Sequence, residues 1–320
     1  MKRLFTILMT CLLAATILTG CGAAGSTAAS SGEGSGRLQV VATNFPGYDF
    51  ARAVCGDQAD VTLLLPPGTE SHSYEPTPKD ILTVQDCDLF IYVGGESDAW
   101  VDTILSSLDK SANTLKMLDC VDTLDEETTE GMTEEEEEPG EGEVTEIDEH
   151  VWTSPANAEL IVQAIRGKML ELDPGNKESY RANAEIYLQK LDELDGAFCD
   201  FFATISNKTM VFGDRFPLRY FAERYDLNCY AAFPGCSTQT EPSAATIAFL
   251  TDKVKSEGLT TVYYIEFSNH LVADSIAEAT NTQTALFNSC HNVSQQQLDA
   301  GETYVSLMEQ NLETLKATMK

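Results

Sequence analysis

The chain has 320 residues, a formal net charge of −31 at pH 7 and a hydrophobic content of 43%. Such an acidic chain is not expected to bind nucleic acid or an anionic lipid surface, because both would repel it. Its nine cysteines are irregularly spaced and contain no C-x-x-C pair, so the sequence predicts neither a disulfide framework nor a thiolate zinc knot.

Residues 1–20 predict an export signal. Two basic residues precede an apolar run over residues 4–18, which is short for a membrane span. The run ends in Leu-Thr-Gly-Cys, an ending that resembles a bacterial lipoprotein signal. The resemblance implies that Cys21 is lipidated and anchors the protein to the cell membrane, on its extracytoplasmic face. Residues 21–37 are rich in Gly, Ala and Ser and predict a flexible tether.

Residues 38–121 predict a first α/β lobe. Strand-like and helix-like segments alternate there, and this alternation favours a mainly parallel sheet with helices on both faces. The predicted segments are residues 38–42, 48–54, 61–65, 78–84, 89–93 and 99–108.

Residues 122–149 predict a solvated acidic loop. They contain fifteen acidic residues and no Lys or Arg, with five consecutive glutamates at residues 134–138. Histidine is absent from this loop, so weak oxygen ligands alone could collect metal there. We interpret the acidic run as solvated charge.

Residues 150–206 predict a helical segment that contains a linking helix. A helix begins after Ser154 and ends near Leu172, and a break follows at residues 173–176. Apolar side chains then recur three or four apart over residues 177–205, which would form a rod of roughly 40 Å. A helix of that length can brace one lobe against another.

Residues 207–320 predict a second α/β lobe. The predicted fold is therefore two mainly parallel α/β sandwiches joined by a helical spine, with a ligand cleft between them. One large α/β domain with a helical excursion is the alternative that chain length leaves open. The predicted segments are residues 209–212, 218–224, 229–233, 243–256, 261–265, 271–279, 284–287 and 303–319.

Two of the four histidines lie in loops that border predicted elements. His72 follows the apolar strand 61–65, and His150 ends the acidic loop just before a helix. Imidazole is a good ligand for transition metals, so two such loops predict a metal site built from distant segments.

The segments around these histidines resemble the zinc and manganese solute-binding lipoproteins of ABC importers, and the resemblance covers nearly all of residues 38–320. It implies a divalent metal held between two lobes and delivered to an ABC permease and its ATPase. By motif position, His72 and His150 correspond to the first two metal-binding histidines of the family. The segments that carry the resemblance are residues 43–46 (Thr-Asn-Phe-Pro), 61–72, 74–78 (Tyr-Glu-Pro-Thr-Pro) and 150–152 (His-Val-Trp).

The other two family ligand positions depart from the pattern. The third falls on Gly213, which has no side chain to offer, and the neighbouring Asp214 is the first substitute. The fourth falls on Asn288, whose neutral carbonyl oxygen is a weaker ligand, and His291 lies three residues further on. For Asp214 a helix cap or a pairing with a neighbouring arginine is the competing interpretation, and for His291 an exposed loop residue is. Glu241, Glu266 and Asn288 remain reserve ligands, with supporting or helix-capping roles expected for the two glutamates.

Two imidazoles favour Zn²⁺ over Mn²⁺, although carboxylate oxygens in the remaining positions would favour manganese. We expect a monomeric binding protein and no enzyme, since H-E-x-x-H, G-x-S-x-G and a Gly-rich phosphate loop are all absent from the sequence. A metal-free surface adhesin derived from this family is the main alternative, and a metal-dependent hydrolase is the weaker one.

Overall fold

The computed structural model describes residues 36–69, 74–95, 98–107, 113–132, 146–237 and 241–320. Within them, two four-stranded sheets form, and every strand pairing is parallel. This confirms the predicted α/β class with mainly parallel sheets. The export signal, nearly all of the tether and Cys21 lie outside the described residues.

The first sheet has the strand order β2-β1-β3-β4. Its central strands are short apolar runs with buried side chains, as expected for strands covered on both faces. The chain reverses its winding direction between β1 and β3, and such a switch point opens a crevice at the carboxyl ends of the strands. The strands are β1 (Leu38–Ala42), β2 (Ala59–Leu63), β3 (Leu89–Tyr92) and β4 (Thr114–Lys116), and the helices are α1 (Phe45–Cys55), α2 (Pro78–Gln85) and α3 (Ala99–Ser107).

The second sheet repeats this topology with the order β6-β5-β7-β8. Its switch point lies between β5 and β7, so both sheets present loops of the same kind at their carboxyl edges. The strands are β5 (Thr209–Phe216), β6 (Asn228–Pro234), β7 (Thr261–Tyr264) and β8 (Gln283–Leu286), and the helices are α6 (Arg219–Tyr225), α7 (Ala244–Ser256), α8 (Leu271–Thr280), α9 (Gln295–Ala300) and α10 (Tyr304–Thr318).

Two helices connect the sheets, α4 (Pro155–Leu172) and α5 (Lys177–Thr204). The 28 residues of α5 match the predicted linking helix and give a length of roughly 42 Å. Near its middle, the Tyr187 hydroxyl donates to Asp49 of α1 at 2.7 Å. Towards its end, Phe198 packs edge-to-face on Phe221 of α6, with ring centroids 5.1 Å apart. The helix therefore contacts α1, which belongs to the first sheet's half of the chain, and α6, which belongs to the second sheet's half.

The sequence did not predict β4 or α9. Strand β4 has only three residues, which is too short for a reliable alternating pattern. Helix α9 begins with a capping box in which Ser294 and Gln297 exchange hydrogen bonds, a signal present in the sequence but followed by few apolar residues. The lobe boundaries 38–121 and 207–320 stay a prediction, because residues 37–320 cluster as one unit.

No helix among the described residues combines the length and the apolar character needed to cross a bilayer. No disulfide joins any two of the seven cysteines in the described part, so Cys229 and Cys236 are not bonded to each other.

Candidate metal centre

A cavity of about 30 Å³ lies at the carboxyl edges of the strands, bounded by loops from both sheets. It has room for roughly two water molecules and is far smaller than the 300–1,000 Å³ of a typical organic-ligand pocket. An ion is therefore the kind of solute it can hold. The residues that line it are Thr69, His150, Arg215, Pro217, Gly235, Ile265, Glu266, Phe267, Ser289, His291 and Asn292.

His150 lies in this cavity and is fully buried. Its backbone N–H donates to Asp148 Oδ1 at 2.8 Å, and its Nδ1 lies 3.2 Å from the same oxygen. A carboxylate on one ring nitrogen orients many metal-binding histidines and increases their basicity. Burial alone would lower the pKa of His150, but the charges of Asp148, Glu149 and Glu126 outweigh burial and raise it.

His291 lines the same cavity, and its ring centroid lies 5.7 Å from that of His150. Trp152 packs against both rings, with centroids 5.4 Å from His150 and 4.9 Å from His291. The structure thus brings together two histidines that are 141 positions apart in the sequence. Metal binding by either residue stays a prediction.

Glu266 supports the loop that carries His291. Its carboxylate accepts the Ser289 hydroxyl at 2.7 Å and the backbone N–H groups of Ser289 and His291 at 2.6 and 3.1 Å. Burial raises the pKa of Glu266, and these donors partly counter that effect. Glu266 also lines the cavity, and its role as a reserve ligand stays a prediction.

The loop that leads towards His72 is bound to the His291 loop. The Asn292 side-chain amide donates to the carbonyls of Pro66 and Thr69 at 2.8 and 2.9 Å. Gly68 donates its backbone N–H to Val293 at 2.8 Å. His72 itself lies outside the described residues, and its role as a ligand stays a prediction.

A bulge in β5 determines which side chain of that strand reaches the cavity. The register shifts between Phe212 and Arg215. A Cβ atom on Gly213 would lie 2.3 Å from the backbone of Ala273 in α8, so residue 213 faces that helix. Arg215 lines the cavity instead. The sequence-based focus on residue 213 therefore missed the position that the bulge turns towards the site.

Asp214 lies inside the bulge and is 8% exposed. Its two carboxylate oxygens accept the backbone N–H groups of Arg215 at 2.8 Å and Ile265 at 3.2 Å. The second contact joins the bulge of β5 to the residue that follows β7, and Asp214 is not among the residues that line the cavity. Its role as a ligand stays a prediction.

The other two reserve candidates lie away from the cavity lining. Asn288 is buried, and both its backbone N–H and its side-chain amide donate to Asn311 Oδ1, at 2.7 and 3.1 Å. Glu241 is exposed before α7. Asn288 thus connects the loop after β8 to helix α10.

Sequence reasoning missed two further residues that lie next to His150. One ring nitrogen of His150, a carboxylate oxygen of Glu149 and Cys236 Sγ all lie within 4.8 Å of one another. Glu149 is 1% exposed, which is rare for a carboxylate. Two features of the sequence could have identified them. Glu149 is adjacent to the candidate ligand His150, and Cys236 follows the carboxyl end of a predicted strand.

The base of the acidic loop is ordered around this site. An isolated antiparallel bridge joins Asp125 to Ile147, and Glu126 accepts the backbone N–H of Cys236 at 2.9 Å. The consecutive glutamates 134–138 lie outside the described residues. The loop therefore contributes at least Glu126 to the electrostatics of His150.

Comparisons with known proteins show which family the chain is similar to. Residues 40–318 match the model of a family described as ZnuA, zinc-uptake complex component A, periplasmic. The chain is 35% identical over 290 residues to the zinc-binding lipoprotein AdcA of Streptococcus pneumoniae, a match that covers 89% of this chain and 56% of the relative. The chain thus spans about half the length of this curated relative.

A second relative matches over nearly its full length. The high-affinity zinc uptake system protein ZnuA of Bacillus subtilis is 32% identical over 310 residues, which cover 95% of this chain and 94% of the relative. Among solved structures, the Zn(II)-bound ZnuA-like domain of Streptococcus pneumoniae AdcA superposes with a TM-score of 0.73 at 34% identity, and the match covers 89% of this chain and 99% of that domain.

Proposed function

The chain belongs to the ZnuA family of zinc-uptake components, and from this premise we propose that it is the solute-binding component of an ABC importer, which captures Zn²⁺ between its two sheets. The observation that carries the proposal is the ion-sized cavity lined by both His150 and His291. Two imidazoles on one small cavity are ligands that zinc prefers.

Zinc is the proposed cargo, and manganese is the alternative. Neutral imidazole binds Zn²⁺ well at pH 7, whereas manganese sites are built mainly from oxygen ligands. The relatives that match most of this chain are named for zinc, which supports the same choice.

The proposed partners are a membrane permease and its ATPase. We propose that Cys21 carries a lipid anchor on the extracytoplasmic face of the membrane, so that the loaded protein stays near its permease. The protein acts as a monomer and carries out no catalysis in this proposal. Membership of a family of zinc-uptake components supports the proposed permease partner.

The test is direct measurement of metal bound by the purified, demetallated protein. We expect about one equivalent of zinc, bound more tightly than manganese in competition. His150→Ala and His72→Ala should each weaken zinc binding by on the order of 100-fold. His270→Ala is the matched control, because His270 lies on the surface in a pair with Asp274 and should leave zinc affinity unchanged.

Two results would overturn the proposal. Wild-type protein that takes up neither metal would favour the metal-free adhesin. Stoichiometric zinc binding that His150→Ala and His72→Ala leave unaltered would place the ion elsewhere in the chain.

A further inference from the structure

We propose that Cys236 supplies a thiolate ligand to the captured ion, with His150 and Glu149 as its neighbours in the coordination shell. The inference rests on the proposed function and extends its site, because Glu149 and Cys236 lie beside His150 although neither lines the cavity. It starts from the cluster in which His150 nitrogen, Glu149 oxygen and Cys236 sulfur lie within 4.8 Å of one another.

The distances between these three atoms are short enough for all three to move onto one small ion. Zn–S and Zn–N bonds of about 2.3 and 2.0 Å place tetrahedral ligand atoms roughly 3.3–3.6 Å apart. The three atoms therefore need to approach by at most about 1.5 Å, which side-chain rotation can provide without moving a strand.

Gly235 explains how Cys236 comes so close to the histidine. A Cβ atom on Gly235 would lie 3.3 Å from His150 Cε1 and 2.9 Å from the Phe216 carbonyl oxygen. A side chain at this position would press on the Phe216 carbonyl and crowd the ring, so glycine lets the backbone after β6 run this near to His150. The next residue is Cys236, and its backbone N–H is held by Glu126 at 2.9 Å.

Burial of the neighbouring groups supports a site for a cation. Glu149 and His150 are 1% and 0% exposed, and Asp148 and Glu126 add further negative charge around the imidazole. Buried carboxylates are costly in a protein interior unless a positive charge accompanies them. A divalent cation bound between Glu149 and Cys236 would add to the positive charge that Arg215 brings to the adjoining cavity.

A thiolate also gives the site a chemical preference. Sulfur ligands favour zinc over manganese, whereas the oxygen ligands that replace the usual family positions would favour manganese. In this chain the third family position falls in a bulge where Gly213 faces a helix. Cys236 would restore a soft ligand by using the neighbouring strand β6.

Cobalt substitution tests the thiolate directly. Demetallated protein loaded with Co²⁺ should show a sulfur-to-cobalt charge-transfer band in the near ultraviolet, and Cys236→Ser should lose that band. The same variant should bind zinc about 10- to 100-fold more weakly and lose part of its preference for zinc over manganese. Cys229→Ser is the matched control, because Cys229 lies near the start of β6, outside the cluster around His150, and should keep the band.

A second measurement does not depend on how the variants fold. In wild-type protein, zinc should protect Cys236 from iodoacetamide, while the exposed Cys199 should react equally with and without zinc. Stoichiometric zinc binding without protection and without the cobalt band would refute the thiolate ligand and leave the proposed function intact. Absence of any zinc binding would refute the proposed function itself.

Discussion

Asp148 holds His150 at two points with one carboxylate oxygen, which accepts the backbone N–H at 2.8 Å and lies 3.2 Å from ring Nδ1. Both residues are at most 1% exposed. One side chain thus sets both the local backbone and the orientation of the imidazole.

We expect Asp148→Asn to weaken zinc binding by about 10- to 100-fold, because carboxylates behind metal-binding histidines typically contribute that much. Zinc titration against a competing chelator would measure it. Asp274→Asn is the matched control, since Asp274 makes the same kind of contact, at 2.9 Å, to the exposed His270. Equal affinities for wild type and Asp148→Asn would contradict a supporting role for Asp148.

A side chain at Gly213 should disturb the packing of β5 against helix α8. A Cβ atom there would lie 2.3 Å from Ala273 Cα and 2.5 Å from its backbone nitrogen. Helix α8 would have to shift away from the strand, so Gly213→Ala should lower the free energy of unfolding by about 2–4 kcal/mol. Urea denaturation of the metal-free protein would measure this change.

Gly196 provides the control for that substitution. It lies within α5, and a Cβ atom there would meet nothing within 4 Å. Gly196→Ala should therefore raise the free energy of unfolding by about 0.5–1 kcal/mol, since alanine favours helix. Destabilisation of similar size in both variants would show that the close approach to Ala273 is not the cause.

The sequence predicted most helices and strands because each of them shows a pattern of apolar residues within a short stretch of the chain. The periodic apolar residues of α5 and the short buried strands β1 and β3 can be recognised without knowledge of their neighbours. The loop histidines could be singled out for a similar reason, since His150 stands at a motif boundary before Trp152. These features depend on residues close together in the chain.

The composition of the cavity could not be predicted in the same way. Arg215 reaches it only because β5 bulges, and a bulge depends on pairing with neighbouring strands. Cys236 approaches His150 only after the loop behind β6 packs beside the end of the acidic loop. Such proximity between residues 86 positions apart is a property of the tertiary structure.

Tyr220 connects the base of the acidic loop to helix α6. Its hydroxyl donates to the Asp148 carbonyl at 2.8 Å and accepts the Leu124 backbone N–H at 3.1 Å. Tyr220→Phe leaves both groups without this partner, so the free energy of unfolding should fall by about 1–2 kcal/mol. Hydrogen exchange at Leu124 should also become faster.

Tyr48→Phe is the control for the loss of a tyrosine hydroxyl. Its ring lies 5.2 Å from the Arg52 guanidinium carbon, a contact that phenylalanine keeps. Stability should change by less than about 0.5 kcal/mol. Unchanged exchange at Leu124 in Tyr220→Phe would contradict the anchoring role of Tyr220.

The ion pair between α5 and α6 predicts a pH dependence of stability. Burial alone would raise the pKa of Asp195, but hydrogen bonds from Arg224 and Tyr225 outweigh burial and lower it. Arg224 Nε and the Tyr225 hydroxyl both lie 2.9 Å from Asp195 Oδ1. Because the folded state favours the ionised form, Asp195 stabilises the protein above its unfolded pKa, near 3.8, and this contribution is lost as the pH falls through the lower folded value.

Asp195→Asn should therefore reduce the free energy of unfolding by about 1–2 kcal/mol at pH 7 and by less at pH 3. Denaturation at both pH values would show this difference. Asp226→Asn is the control, because the Asp226 side chain is 99% exposed and lies 3.8 Å from Lys208 Nζ, a pair that solvent screens. A loss in Asp195→Asn that is the same at pH 3 and pH 7 would mean that ionisation of Asp195 does not stabilise the contact between α5 and α6.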